Sequence, residues 1–212
     1  MLEERVKARS IIFDLDGTLV DSLDDITASL NHVLAARDTT HSRRTVRGFV
    51  GRARGSSSSA RSRQASTSTR SSPSSGRYAA HLTDHTRAYD GVRGCSLARA
   101  AEVPTAVLSN KPHDMTVGVV ALFEEHAFVR VLGQRDGVPR KPDPASALEL
   151  GAALEPPVAF VGDTPVDVAT ARAAGMTAIA VAWGMRDVAL LREAGAEVVL
   201  ERPADLLAHL AR

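Results

Sequence analysis

Residues 10–22 read Ser10-Ile11-Ile12-Phe13-Asp14-Leu15-Asp16-Gly17-Thr18-Leu19-Val20-Asp21-Ser22. A short apolar run over 9–13 ends directly on Asp14, so it reads as a buried strand followed by a polar turn. Beyond it, Leu23, Ile26, Leu30, Val33 and Leu34 recur at helical spacing. Asp24 and Asp25 fall in the first turn of that helix, where carboxylates favour its dipole, and Ser22 stands as its N-cap. Further along, apolar runs at 104–108, 127–132, 157–161 and 177–182 alternate with helical patterns near 93–102, 113–124, 144–154, 165–174 and 186–194. Short buried strands alternating with helices predict an α/β fold, a doubly wound parallel sheet covered on both faces.

Four polar clusters each follow one of these runs: Asp14-Leu15-Asp16-Gly17-Thr18, Ser109-Asn110-Lys111, Lys141-Pro142-Asp143-Pro144 and Gly162-Asp163-Thr164-Pro165-Val166-Asp167. In a parallel sheet such positions gather in one crevice at the carboxyl ends of the strands. Any one cluster alone reads as a turn or a helix cap. Their joint occurrence, each at a strand end, points to a site. Four carboxylates (Asp14, Asp16, Asp163, Asp167) crowded together repel one another unless a cation joins them, and an all-oxygen donor set favours Mg²⁺ over zinc. Lys141 and the Ser109 hydroxyl add groups suited to a phosphoryl group, whose transfer depends on positioning and charge neutralisation. A carboxylate can also act as the nucleophile, with a second one two residues on as general acid and base.

The 212 residues carry 26 Lys+Arg and 25 Asp+Glu, a net charge of +1. That average conceals a segment, 52–77, with eleven serines, six arginines and no acid; the remainder holds 20 basic residues against 25 acidic. With three alanines as its only apolar side chains, the segment buries too little surface to offset its ordering entropy and is expected to be disordered. A single cysteine, Cys95, excludes an intramolecular disulfide and favours a reducing, cytoplasmic compartment. No apolar run reaches the ~18 residues of a membrane span, and no secretory leader is recognised at the N-terminus.

The four motifs FDLDGTLVDS, LSNKP, RKPDP and GDTPVD resemble those of the haloacid dehalogenase (HAD) superfamily, and within it the phosphoglycolate phosphatase group. The likeness covers residues 9–42 and about 78–207. It implies a Rossmann-like core with a small helical cap inserted after the first motif. It also implies that Asp14 is the nucleophile and Asp16 the general acid/base, the latter giving its backbone carbonyl to Mg²⁺. Ser109, Asn110, Lys141 and Thr18 would serve the phosphoryl group, with Asp163 and Asp167 at the metal. Within that resemblance Thr18 leans towards simple hydrolysis, and the Ala182-Trp183-Gly184 stretch resembles the phosphoglycolate phosphatases, so the expected partner is a small phosphorylated metabolite, 2-phosphoglycolate. The domain division that follows is a core of 1–20 and 86–212 and a cap of 21–85.

The chain departs from the family where the cap should be, because the Ser/Arg segment replaces amphipathic helix. Suitable G/C-rich codons for residues 56–75, read one base earlier, encode ELLERA followed by LAPGVDVDEVLALF, a helix, a turn and a helix. A pair of compensating frameshifts therefore accounts for the segment better than an arginine-serine domain does, and Arg93-Gly94-Cys95-Ser96 forms a second suspect patch. The expectation is an intact catalytic floor under an impaired cap, with weak activity and poor substrate discrimination. The alternatives are a HAD phosphatase for a sugar phosphate or pyrophosphate, and an inactive HAD-fold protein whose RS-like tract binds nucleic acid. Retention of both Asp14 and Asp16 argues against the latter, so a nucleic-acid partner is not expected.

Overall fold

The computed structural model describes residues 8–35, 38–50, 81–92, 103–124 and 127–206. The expected disorder of 52–77, the helix near 93–102 and the Cys95 patch all lie outside these residues. In chain order the elements are β1 (Ser10–Phe13), β2 (Val20–Asp21), α1 (Leu23–Ala35), α2 (Arg43–Phe49), β3 (Arg87–Ala88), β4 (Thr105–Pro112) and α3 (His113–Val120). They continue with β5 (Arg130–Gln134), α4 (Ala145–Gly151), β6 (Val158–Gly162), α5 (Pro165–Ala173), β7 (Thr177–Val181), α6 (Val188–Glu193) and β8 (Val198–Leu200).

Six strands form one parallel sheet in the order β5-β4-β1-β6-β7-β8. β1, with all four side chains buried, lies at its middle. Alternation along the strands sends Ile11, Phe13, Val107, Val161 and Ile179 to one face and Ile12, Ala106, Leu108, Phe160 and Ala178 to the other. Leu15, Leu19 and Val119 cover the first face; Ala147 and Leu150 of α4 with Val168 and Ala171 of α5 cover the second. Both faces are buried, which is why the strands read as unbroken apolar runs. Each fully buried Ile or Leu contributes about 1.5–3 kcal/mol. The site is built on the carboxyl end of the strand that such side chains anchor most deeply.

The doubly wound α/β expectation holds. Two local differences matter for the site. β4 runs on through Ser109-Asn110-Lys111 to Pro112, with a shift of register against β5 between Leu108 and Pro112. Irregular pairing of this kind re-aims side chains at a strand end. Ser22 sits where a cap was expected, and its carbonyl accepts from Ile26 N, but its hydroxyl donates to Asp16 instead of accepting from the helix. Asp21 Oδ1 accepts from Leu23 N in its place. β8, only three residues long and half-buried at two of them, gave too short a signal to be read in advance.

The segment carrying α1 and α2 is tied back to the rest by three devices. β2 pairs antiparallel with β3, Val20 opposite Ala88. Arg47 donates to the carbonyls of Met185 and Gly184, while Arg186 donates to those of Gly48 and Val50. Asp25 in α1 is 3% exposed and accepts from the backbone N–H of His85 and Thr86 and from the Thr86 hydroxyl. Among the described residues no helix is long and apolar enough to cross a membrane.

Burial opposes ionisation of Asp25, but the hydrogen bonds from Thr86 and His85 outweigh it and hold the carboxyl below its ordinary range. A carboxyl depressed in the folded state stabilises above its unfolded value, near 4, and that contribution is lost as pH falls through the folded value. Asp25→Asn should lower stability by about 1–3 kcal/mol at pH 7. Thermal unfolding of both proteins should show the difference shrinking as the pH is taken well below 4.

Candidate active site

Asp14 is the first residue after β1, its N–H held by the Val161 carbonyl, and the chain then turns sharply at Gly17. Gly17 has φ +93, and a Cβ there would lie 2.3 Å from Asp163 Oδ2. Gly184 has the same constraint, a Cβ falling 2.2 Å from the Cβ of Asp163. Two glycines thus allow two backbone segments to close on one carboxylate, which accepts from Met185 N at 2.7 Å. Trp183 helps to fix the surrounding loop by donating to the Thr18 carbonyl at 3.0 Å.

Asp167 comes from the first turn of α5. Thr164 and Asp167 form a capping box, in which Asp167 Oδ2 accepts from Thr164 N and Oγ1. That leaves Asp167 Oδ1 for Lys141 Nζ, at 2.7 Å, and the same ammonium lies 2.8 Å from Asp14 Oδ1. Lys141 Nζ also donates to the Leu108 carbonyl. Its loop is clasped by Asn110, whose side chain donates to the Lys141 carbonyl at 3.1 Å and accepts from Lys141 N at 2.9 Å. Ser109 Oγ accepts from Lys111 N.

Asp14, Asp163 and Asp167 bring one oxygen each within 4.8 Å of one another. Three buried carboxylates with only oxygen donors match a hard divalent cation, so these residues can hold a metal ion. The Asp16 carboxylate stands apart from that cluster, against Lys111 Nζ and Ser22 Oγ, each 2.5 Å from Oδ1. A cavity of about 340 Å³ opens over Asp14, Asp16, Ser109, Asn110, Lys141 and Asp167, and Ile26, Val50, Lys111 and Arg140 also line it.

Sequence reasoning thus named a set of side chains that mostly converge. Asp163 joins the others through its carboxylate cluster with Asp14 and Asp167 but, like Thr18, does not line the cavity, and the buried Thr18 hydroxyl donates to Asp163 Oδ1 at 3.4 Å. The left-handed turn at Gly17 points Thr18 beneath the site. Lys111 and Arg140 went unassigned, although Lys111 adjoins the Ser-Asn pair and Arg140 precedes Lys141. Both lie inside the quoted motifs LSNKP and RKPDP, and that membership was the signal available for them.

Burial, then repulsion from Asp167 and Asp163, pushes Asp14 well above the ordinary carboxyl range against the pull of Lys141. Burial and Asp167 push Asp163 up to about 7, opposed by the Met185 N–H and Lys141. Lys141 moves up as well, because attraction to Asp14 and Asp167 outweighs its burial.

A parallel α/β sheet with a buried acidic cluster at its carboxyl edge, able to hold a divalent cation, defines a Rossmann-like core with its site at the strand ends. The family model of haloacid dehalogenase-like hydrolases matches residues 11–181. A phosphoglycolate phosphatase of Chromobacterium violaceum is 32% identical, the match covering 93% of this chain and 94% of the relative. One from Cereibacter sphaeroides is 33% identical over 78% of this chain and 81% of its own length. A crystal structure from Lactobacillus delbrueckii, assigned to the same enzyme group, superimposes with a TM-score of 0.80 at 26% identity, covering 98% of this chain and all of that one. The chain belongs to the haloacid dehalogenase-like hydrolase family, as the motifs implied, and is similar throughout to its phosphoric monoester hydrolases.

A carboxyl raised in the folded state stabilises below its unfolded value and costs stability as pH rises through its folded value. Asp163 therefore makes the cation-free protein less favourable above pH 7 than below it. A divalent cation reverses that cost, so added Mg²⁺ should raise Tm more at pH 8 than at pH 6. Calorimetry at both pH values, with and without chelator, checks this.

Proposed function

We propose that this chain is a Mg²⁺-dependent phosphatase that hydrolyses a small phosphomonoester through an aspartyl-phosphate, with 2-phosphoglycolate as the favoured substrate. The reading rests on one observation: Asp14, Lys141 and Asp167 stand within hydrogen-bond distance in the floor of a cavity that Asp16 also lines. Residues 1–20 and 86–212 supply this floor, and 21–85 serve as the cap.

Asp14, Asp163, Asp167 and the Asp16 backbone carbonyl would hold the Mg²⁺, which when bound neutralises charge on the phosphoryl oxygens. Asp14 attacks phosphorus, and its P–O bond forms as the ester P–O bond breaks. Asp16 gives its proton to the departing alkoxide. Asp16 then takes a proton from water as the water oxygen attacks the aspartyl-phosphate, releasing inorganic phosphate and restoring Asp14. Lys141 and the Ser109 hydroxyl hold the transferring oxygens, Asn110 keeps Lys141 in place, and Thr18 supports Asp163 from below.

Two features favour a substrate with a second anion. The two relatives reported above are phosphoglycolate phosphatases by name. Arg140, exposed at the cavity rim, has no carboxylate partner among the described residues, and a substrate carboxylate would give it one.

Asp14→Asn should reduce Mg²⁺-dependent hydrolysis of p-nitrophenyl phosphate and 2-phosphoglycolate by on the order of a thousandfold or more, since it removes the nucleophile. An Asp14→Asn protein with near-parental turnover overturns the mechanism. Separately, Arg140→Ala should raise KM for 2-phosphoglycolate roughly three- to tenfold, as loss of an exposed charge contact does, and change KM for p-nitrophenyl phosphate little.

A further inference from the structure

Lys111 is a buried lysine, its side chain 4% exposed, one residue past the Ser-Asn pair of β4. Its ammonium lies 2.5 Å from Asp16 Oδ1, and Ser22 Oγ reaches the same oxygen at 2.5 Å from the start of α1. Two donors from separate elements thus converge on one carboxylate oxygen, while Asp16 Oδ2 has no protein partner among the described residues. Ser22 gives up its place as a helix cap, and Asp21 takes it. The shift of register in β4 lies between Leu108 and Pro112, the stretch that carries Lys111.

We propose that Lys111, with Ser22, is a positioning residue that fixes the Asp16 carboxyl by Oδ1 and leaves Oδ2 to carry the proton in both half-reactions. This rests on the phosphatase reading above, in which Asp16 delivers a proton to the leaving oxygen and then accepts one from water. A carboxyl free to rotate about χ1 and χ2 would spend most of its time out of line with the ester oxygen, and misplacement of a catalytic group by about 1 Å can cost a hundredfold. One oxygen held by an ammonium and a hydroxyl removes that freedom, because charge-assisted hydrogen bonds are the strong ones. Ser22 also sits at the junction of α1 with the first motif, so the carboxyl is referenced to both the sheet and the cap segment.

The test is a double-mutant cycle on 2-phosphoglycolate hydrolysis in Mg²⁺, with folding of every variant confirmed by circular dichroism. Lys111→Met should lower kcat about ten- to a hundredfold, the range of a weakened general acid–base step, and leave KM within about threefold. In an Asp16→Asn background the same Lys111→Met change should have little further effect, because a group acting through Asp16 has nothing left to position. Lys111→Arg should recover part of the rate by keeping a cation there. Ser22→Ala should show the same kcat loss and the same non-additivity, and it stands in if Lys111→Met fails to fold. Equal losses in both backgrounds, or a loss confined to KM, would mean that Lys111 contacts the phosphate itself and overturn the inference. So would a parental kcat in Lys111→Met. A parent chain inactive on every phosphomonoester overturns the proposed function, and this inference with it.

Discussion

The Lys141 ammonium, buried between Asp14 and Asp167 at 2.8 and 2.7 Å, is the contact on which the rest of the site depends. Burial and mutual repulsion both disfavour ionised carboxylates at the ends of β1 and β6, and both push Asp14 and Asp163 upward. A buried cation among them offsets much of that cost. It also joins three separate parts of the chain: the strand end at Asp14, the loop of Lys141 and the first turn of α5. Asn110 holds that loop by its backbone, so β4 takes part in the same arrangement. A crowded acidic centre of this kind is unfavourable as a structural device alone.

Space around the centre is as constrained as its charge. Gly17 and Gly184 leave no room for a Cβ against Asp163, and Gly162 has the same relation to Asp167. Backbone therefore packs directly on the carboxylates and delivers N–H groups such as that of Met185. The loop that supplies Met185 is also where Arg47 of α2 is bound and where Arg186 reaches back to Gly48 and Val50. The helical segment after the first motif is thereby joined to the loop that steadies Asp163.

Much of this was legible in the primary structure. The unbroken apolar runs ending at Phe13, Leu108 and Val161 identify strands buried on both faces, and the polar cluster after each identifies the edge where the site lies. Asp14, Ser109, Asn110, Lys141, Asp163 and Asp167 all converge, because a parallel sheet places successive strand ends side by side. Thr18, Lys111 and Ser22 were not legible in the same way. Thr18 belongs to the motif, yet its direction depends on the left-handed turn at Gly17 and on space beneath Asp163. Ser22 has every local mark of a helix cap, and only the proximity of Asp16 diverts its hydroxyl.

What the sequence by itself determined is therefore the α/β layering, the family and which polar side chains gather at the strand ends. Those depend on periodicity and on residue types at strand ends, which are local properties. Only the tertiary structure decided which oxygen of each carboxylate is already engaged and which cation engages it. It assigned Lys141 to Asp14 and Asp167 and Lys111 to Asp16, although Lys111, near the end of β4, and Lys141, in the loop after β5, both lie at the same edge of the sheet. That choice depends on the register of β4 against β5 and on the course of the Lys141 loop, which long-range packing sets and no short stretch of sequence encodes.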